Sequence, residues 1–154
     1  MDLPKLRRSR IINLLCLLLL GGTALFLALR WNAIPEKIPG HYNFAGEIDR
    51  WGSRSELVIL PILAAIFYGG MTLLESFPAA WNTGVTVTEE NRDRVYPILL
   101  RMVERLKLVI CLIFSFLTVN SALARPLPIW FLPVFLILLF GVLTVSLRKL
   151  YRAK

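Results

Sequence analysis

Four long apolar runs without a charged residue dominate this sequence. They occupy residues 11–29, 57–74, 108–124 and 127–147. The first run has nineteen residues, and as a helix it reaches about 28 Å, close to the thickness of the hydrocarbon core of a bilayer. Because lipid offers no partners for free backbone N–H and C=O groups, such runs cross membranes as helices. The sequence therefore predicts an all-α integral membrane protein with four transmembrane helices.

The positions of the basic residues predict how these helices are oriented. Thirteen of the 18 Lys and Arg residues lie in the N-terminal tail, in the segment 75–107 or in the C-terminal tail. The remaining five are Arg30, Lys37, Arg50, Arg54 and Arg125. Basic residues accumulate on the cytoplasmic side of membrane proteins. We therefore predict cytoplasmic termini, a cytoplasmic loop 75–107, an outer loop 30–56 and a location in the plasma membrane.

Composition agrees with a single membrane domain and argues against other classes. The 154 residues are 56% hydrophobic and 18% charged, whereas soluble domains carry about 25% charged residues. The net charge of +8 is explained by the topology and by contact with anionic lipids at the cytoplasmic face, so no nucleic-acid partner is expected. Cys16 and Cys111 both lie inside apolar runs. Neither a disulfide framework nor a metal or cofactor site is predicted from them.

The cytoplasmic loop carries a helical pattern of its own. Its apolar residues recur at helical spacing at Val95, Leu99, Val103 and Leu106. Arginines lie on the other faces of this helix. Thr88, which is followed by two glutamates, is expected to begin the helix, and Pro97 is expected to bend it. This pattern predicts a basic amphipathic helix lying at the membrane surface over 88–107. The alternative is a docking site for a soluble partner.

Two of the predicted spans carry a narrow face of small or weakly polar residues. These faces are Pro61, Ala65 and Gly69 in the second span, and Ser115, Thr118 and Ala122 in the third. Small faces let helices approach closely in lipid, which favours helix packing at both. A path for a ligand is the alternative. The four runs contain no charged residue, which argues against a proton relay or an ion pathway.

The outer loop has the residues of a compact, ordered segment. It contains His41, the only histidine of the chain. Asn43 and Asp49 are turn-forming residues, and Gly46 can adopt a positive φ. Ser53 and Glu56 have the spacing of a capping box before the second span.

Two segments resemble a known family, the bacterial membrane family of domain of unknown function 1648. They are PGHYNFAGEID at 39–49, with its His-x-Asn-x-x-Gly-x-x-Asp spacing, and TEENRDRVY at 88–96. This chain departs from the family at Arg54, where lysine is common, so the charge is kept but the donor geometry changes. The family recurs in larger proteins related to SdpI-type immunity proteins, which protect a bacterium from its own secreted peptide toxin. The resemblance thus implies immunity to, or sensing of, a secreted peptide.

The ligand-binding hypothesis rests on a group of outer-loop residues. We predict that His41, Asn43, Gly46, Asp49 and Arg54 form one compact unit on the outer ends of the helices. Within it, Asp49 is expected to pair with Arg54 or with His41. Such a unit is a polar surface on which a secreted peptide ligand can bind without catalysis.

Two alternatives remain open for the same loop. One is a membrane enzyme or metal-dependent hydrolase that uses His41, Glu47 and Asp49 as base or ligands. One histidine with two carboxylates is a thin ligand set for zinc, so an enzyme is not the prediction. The other alternative is that these residues only hydrogen-bond a compact loop above the bilayer.

Overall fold

The protein is mostly helical, with one small β-sheet. The computed structural model describes residues 8–153. Lys5, Arg7 and Lys154, which the charge count includes, lie outside this part of the chain. The helices and strands in chain order are α1 Arg10–Arg30, β1 Lys37–Tyr42, β2 Ile48–Ser53, α2 Ile59–Leu74, α3 Arg92–Ala122 and α4 Phe131–Arg152. The antiparallel β1–β2 hairpin corrects the prediction of an all-α chain.

Three helical segments of the described chain are long and apolar enough to cross a membrane. They are Arg10–Ala33, Arg54–Leu74 and Phe131–Arg152. Their outward faces expose large apolar side chains, for example Ile11 at 73% and Ile137 at 70%. Exposed apolar faces of this extent are expected where lipid, not water, surrounds the helices. The prediction of apolar membrane helices is confirmed for these three segments.

The fourth predicted span begins later than its apolar run. The run begins at residue 127, but α4 begins at Phe131. Pro126 and Pro128 explain the delay, because proline lacks an N–H donor and disfavours helical geometry in the residue before it. The segment between α3 and α4 is therefore an extended connection, and it forms part of the candidate site.

Helix α3 is the centre of the bundle and contacts α1, α2 and α4. The small face predicted on it is buried, with Ser115 at 8%, Thr118 at 0% and Ala122 at 3% exposure. The matching prediction for α2 is wrong, because Ala65 and Gly69 are exposed and the buried small residue is Ala64. A spacing of four residues drifts around a helix of 3.6 residues per turn.

The predicted surface helix is part of α3 and not a separate element, and it begins at Arg92 rather than at Thr88. Asn91 precedes the helix and exchanges hydrogen bonds with Thr88, whose N–H lies 2.8 Å from Asn91 Oδ1. Pro97 is accommodated in the second turn without ending the helix. Val95 and Leu99 are buried against Leu150 and Ala153 rather than lying on lipid. The apolar period identified the buried face correctly at Val95 and Leu99, whereas Val103 and Leu106 are only partly buried. This part of the helix packs on protein.

A buried ion pair joins three helices. Lys107 Nζ lies 2.5 Å from Glu75 Oε1, and both side chains are 0% exposed. The ammonium group also donates to Asn13 Oδ1 at 2.7 Å and to Thr72 Oγ1 at 3.2 Å. Lysine can therefore lie inside the bundle because α1 and α2 supply acceptors for all three of its protons. The sequence pattern treated Glu75 and Lys107 only as the ends of apolar runs.

The bundle has two distinct ends. At one, which we call the hairpin end, Tyr42 of the hairpin contacts Ser121 at the end of α3. At the other, the terminal end, the start of α3 packs on the end of α4, and Arg8 donates to Ser76 Oγ at 2.8 Å. Both ends of the described chain therefore lie on the side opposite the hairpin.

Candidate functional site

The hairpin is built on a turn that Asn43 organises. Its side-chain Oδ1 accepts from the backbone N–H groups of Ala45 at 2.9 Å and Glu47 at 3.0 Å. Its Nδ2 donates to the Glu47 carboxylate at 2.9 Å. Gly46 has a φ of 82°, which residues with a Cβ rarely adopt. The turn roles predicted for Asn43 and Gly46 are confirmed.

His41 and Asp49 form a polar pair across the two strands. His41 Nδ1 lies 2.7 Å from Asp49 Oδ1, and the side chains are 65% and 42% exposed. Because an ionised carboxylate only accepts, Nδ1 carries the proton and, in the neutral ring, Nε2 is left as an acceptor. An exposed pair of this kind adds only about 0–1 kcal/mol to stability. Its more important consequence is that it orients a hydrogen-bonding imidazole on the hairpin surface.

Arg54 lies apart from this pair. Its guanidinium group donates to the carbonyl oxygens of Trp31 at 3.1 Å and Ile34 at 3.3 Å. It also stacks over the Trp31 ring, 5.3 Å from the centroid. Arg54 follows the last residue of β2 and so lies at the base of the hairpin, beside the end of α1. Of the two partners expected for Asp49, His41 is the one observed. Arg54 instead stabilises the base of the hairpin.

A second ion pair on the hairpin was not foreseen from the sequence. Arg50 Nη1 lies 3.0 Å from Glu56 Oε2, and Nη2 donates to the carbonyl oxygen of Gly40 at 2.8 Å. Glu56 also accepts from the Ser53 N–H at 3.0 Å, as the predicted capping box requires. The capping box holds the Glu56 carboxylate at the end of β2, close to Arg50. The capping-box spacing was therefore the one feature of the sequence from which this ion pair could have been predicted.

The tip of the hairpin is fastened to the connection between α3 and α4. The Leu127 N–H donates to the Gly46 carbonyl oxygen at 2.8 Å. The Tyr42 hydroxyl donates to the Arg125 carbonyl oxygen at 3.1 Å and accepts from Asn120 Nδ2 at 3.1 Å. Sequence reasoning missed these contacts because they join residues about eighty positions apart. They hold the hairpin in a defined position over the helix ends.

An apolar cleft opens between the hairpin and this connection. We call it the outer cleft; its volume is about 720 Å³. The hairpin contributes the wall formed by His41, Tyr42, Asn43, Phe44, Ala45, Gly46 and Asp49. The facing wall is formed by Leu127, Pro128, Ile129, Phe131, Leu132 and Pro133. Clefts of this size with few polar groups are typical of small-ligand sites.

A second cleft of about 450 Å³ adjoins the outer cleft. Its lining includes residues of β1, α2, α3 and α4. Five residues line both clefts: His41, Tyr42, Leu127, Phe131 and Leu132. The Arg50–Glu56 pair lies in its wall. The two clefts thus adjoin where the hairpin meets the start of α4, and an elongated ligand can contact both.

Of the three residues that a hydrolase would use, His41 and Asp49 contact each other, but Glu47 does not join them. Among residues 8–153, no group of three or more His, Cys, Asp and Glu side chains is arranged to hold a metal ion. Glu47 is engaged by Asn43 and is absent from the lining of both clefts. Of the predicted ligand-binding set, His41, Asn43, Gly46 and Asp49 line the outer cleft, and Arg54 does not.

Comparison with known proteins finds a family whose model matches the segment that carries the hairpin. Residues 18–65 match the family described as Domain of unknown function (DUF1648). The match confirms the resemblance seen at 39–49, whereas the segment 88–96 lies outside it. The match covers most of α1, the whole hairpin and the first part of α2.

An uncharacterized protein from Archaeoglobus fulgidus is 42% identical to this chain over 55 residues. The aligned segment is 36% of this chain and 28% of that protein, so the chain spans under a third of this relative's length. No solved structure matches the chain.

Proposed function

We propose that this protein is a non-enzymatic membrane protein that binds an amphipathic ligand at the outer cleft and provides immunity to, or sensing of, a secreted peptide. The observation that carries the proposal is the cleft itself. Its walls are mainly apolar side chains, and the hydrogen-bonded His41–Asp49 pair lies among them. Apolar side chains of a peptide fit such walls, while its polar backbone or a charged group meets the imidazole and carboxylate.

The proposal includes a plasma-membrane location and four transmembrane helices, with both termini cytoplasmic. Helix α3 is the fourth span. Its apolar part from residue 108 packs among the other three helices, and Lys107, the charged residue that directly precedes this part, is fully paired. The hairpin end then faces outward with the five basic residues of the smaller group, in agreement with the charge asymmetry.

The orientation is tested by cysteine labelling in intact cells. We expect an impermeant maleimide to label Ser53→Cys and to leave Arg152→Cys unlabelled until the cells are opened. Cys16 and Cys111 are 0% exposed, and replacing both removes any remaining background. Labelling of Arg152→Cys in intact cells, with Ser53→Cys protected, would reverse the proposed topology.

Binding is tested by protection of cells against membrane-active peptides. We expect cells that express the protein to survive at least one peptide of a synthetic amphipathic panel better than cells without it. His41→Ala and Asp49→Asn should weaken that protection about tenfold or more, because each removes a hydrogen bond at the binding surface. Protein level and topology should stay unchanged, since an exposed pair adds little stability.

A matched control and a direct measurement accompany this experiment. Lys37→Ala changes an exposed hairpin residue that lines neither cleft, and it should protect as the wild type does. Phe44 is 95% exposed and lines the outer cleft, so a fluorophore on Phe44→Cys should respond to the protective peptide in purified protein. If wild-type cells resist no peptide, or if all three hairpin variants behave alike, the binding proposal is wrong.

The His41–Asp49 pair also favours a second candidate function, an outward-facing hydrolase. A histidine oriented by a carboxylate is a recurring general base. Incubating the purified protein with the same peptides and analysing them by mass spectrometry tests this candidate. Cleavage that disappears in His41→Ala would favour the enzyme, and intact peptides after prolonged incubation would favour the binding protein.

A further inference from the structure

A second polar feature lies at the terminal end, away from the outer cleft. A groove of about 400 Å³ runs between the start of α1 and α3. Its polar lining consists of Arg8, Ser9, Arg10, Arg101, Glu104 and Arg105. Four arginines and one glutamate therefore face one groove, whereas the predicted amphipathic helix placed these α3 arginines on a free surface. The groove has a strong excess of positive charge.

The one acidic residue in the groove is already engaged. Glu104 is 2% exposed, and its Oε1 accepts from the Ser9 backbone N–H at 2.5 Å. This contact ties the start of α1 to α3 and so fixes the spacing of the arginines on the two helices. Glu104 thereby acts as a structural acceptor at the bottom of the groove.

Most of the arginines keep their donors available. Arg8 donates to Ser76 and lies 3.9 Å from Glu75. Among residues 8–153, no acid or carbonyl oxygen engages the guanidinium groups of Arg10, Arg101 and Arg105. A guanidinium group binds phosphate through two parallel N–H donors. Three such groups around one groove suit a phosphate ester.

The apolar surface next to the groove identifies the rest of the ligand. Ile11 lines the groove and is 73% exposed. Along the same helix, Leu14 is 57% and Leu18 is 61% exposed. Residues three and four apart lie on one helix face, so an apolar strip leads from the arginines along α1. A ligand with a phosphate head and hydrocarbon chains matches both parts.

We propose that this groove is a specific binding site for the headgroup of an anionic phospholipid. The phosphate binds Arg10, Arg101 and Arg105, and the acyl chains lie along the exposed face of α1. The orientation proposed above places the site in the inner leaflet, where anionic lipids attract basic segments. Binding itself does not depend on that orientation, so the cysteine labelling and the experiment below can fail independently.

Native mass spectrometry of the detergent-purified full-length protein tests the site. The probes are phosphatidylglycerol and phosphatidylcholine with identical acyl chains. We expect phosphatidylglycerol to be retained at a one-to-one ratio at concentrations at which phosphatidylcholine is lost. The double variant Arg101→Gln/Arg105→Gln should reduce the bound fraction at least tenfold, because it removes two of the three charge-assisted donors to the phosphate. Elution volume and circular dichroism show whether the variant is folded.

The control is Arg148→Gln/Lys149→Gln, which removes the same charge from exposed positions of α4 that do not line the groove. It should retain phosphatidylglycerol as the wild type does. Equal losses in the two double variants would show a diffuse electrostatic effect and overturn the site. Displacement of the lipid by an equal concentration of inorganic phosphate would show a free-phosphate site and overturn the lipid assignment.

Discussion

Lys107→Met should destabilise the folded protein by about 3–5 kcal/mol, the cost of removing one partner of a buried ion pair. The substitution leaves the Glu75 carboxylate 0% exposed with its nearest cation, Arg8, 3.9 Å away. It also leaves the Asn13 and Thr72 oxygens without their donor. Reversible unfolding in mixed micelles, or the fraction of monodisperse protein after heating, measures the loss.

The double variant Lys107→Met/Glu75→Leu shows how much of the lost stability comes from leaving one buried charge unpaired. Replacing both charges by apolar groups of similar volume is often neutral or stabilising, so the double variant should recover most of the lost stability. Glu75→Leu alone should be as damaging as Lys107→Met, because a buried ammonium group then lacks its counterion. If the single variants lose no more than the double variant, the pair is not a determinant of the fold.

The second large effect is expected at the hairpin tip. Gly46→Ala should cost about 2–3 kcal/mol, the sum of a left-handed backbone in a residue with a Cβ and a disturbed hydrogen bond. A Cβ on Gly46 would lie 2.8 Å from the Leu127 carbonyl oxygen, which is too close. The hairpin tip would therefore have to move away from the α3–α4 connection. Gly46→Val should be worse. Melting curves of purified protein and labelling of Phe44→Cys measure stability and tip position.

Gly84 is a matched control for this prediction. It also has a positive φ, 65°, but a Cβ added there would meet no atom within 4 Å. Gly84→Ala should therefore cost only the backbone part, about 1–2 kcal/mol, and leave the hairpin tip in place. Equal losses at the two glycines would show that the contact with Leu127 contributes nothing.

The features that the sequence predicted correctly are those determined by local chemistry. The apolar runs predict where the long helices lie because lipid-facing segments must satisfy their own backbone groups. Asn43 and Gly46 were assigned correctly because turn residues act on neighbours within a few positions. The Ser53–Glu56 capping box has the same local origin.

The features that sequence reasoning missed depend on contacts between distant parts of the chain. Lys107 ends an apolar run and so resembles a surface boundary, yet acceptors from two other helices bury it. The strands were missed because β1 contains Pro39 and Gly40, which weaken the usual strand signal. Arg54 was placed near Asp49 by sequence proximity, but the extended strand carries it to the hairpin base.

The continuity of α3 has a mechanical consequence. Its 31 residues form one rod of about 46 Å. At one end of the rod Asn120 hydrogen-bonds Tyr42 of the hairpin, and at the other end Val95 and Leu99 pack against the last turn of α4. Over this length, a tilt of about 5° at one end displaces the other end by about 4 Å. Helix α3 thus couples the hairpin end mechanically to the terminal end of the bundle.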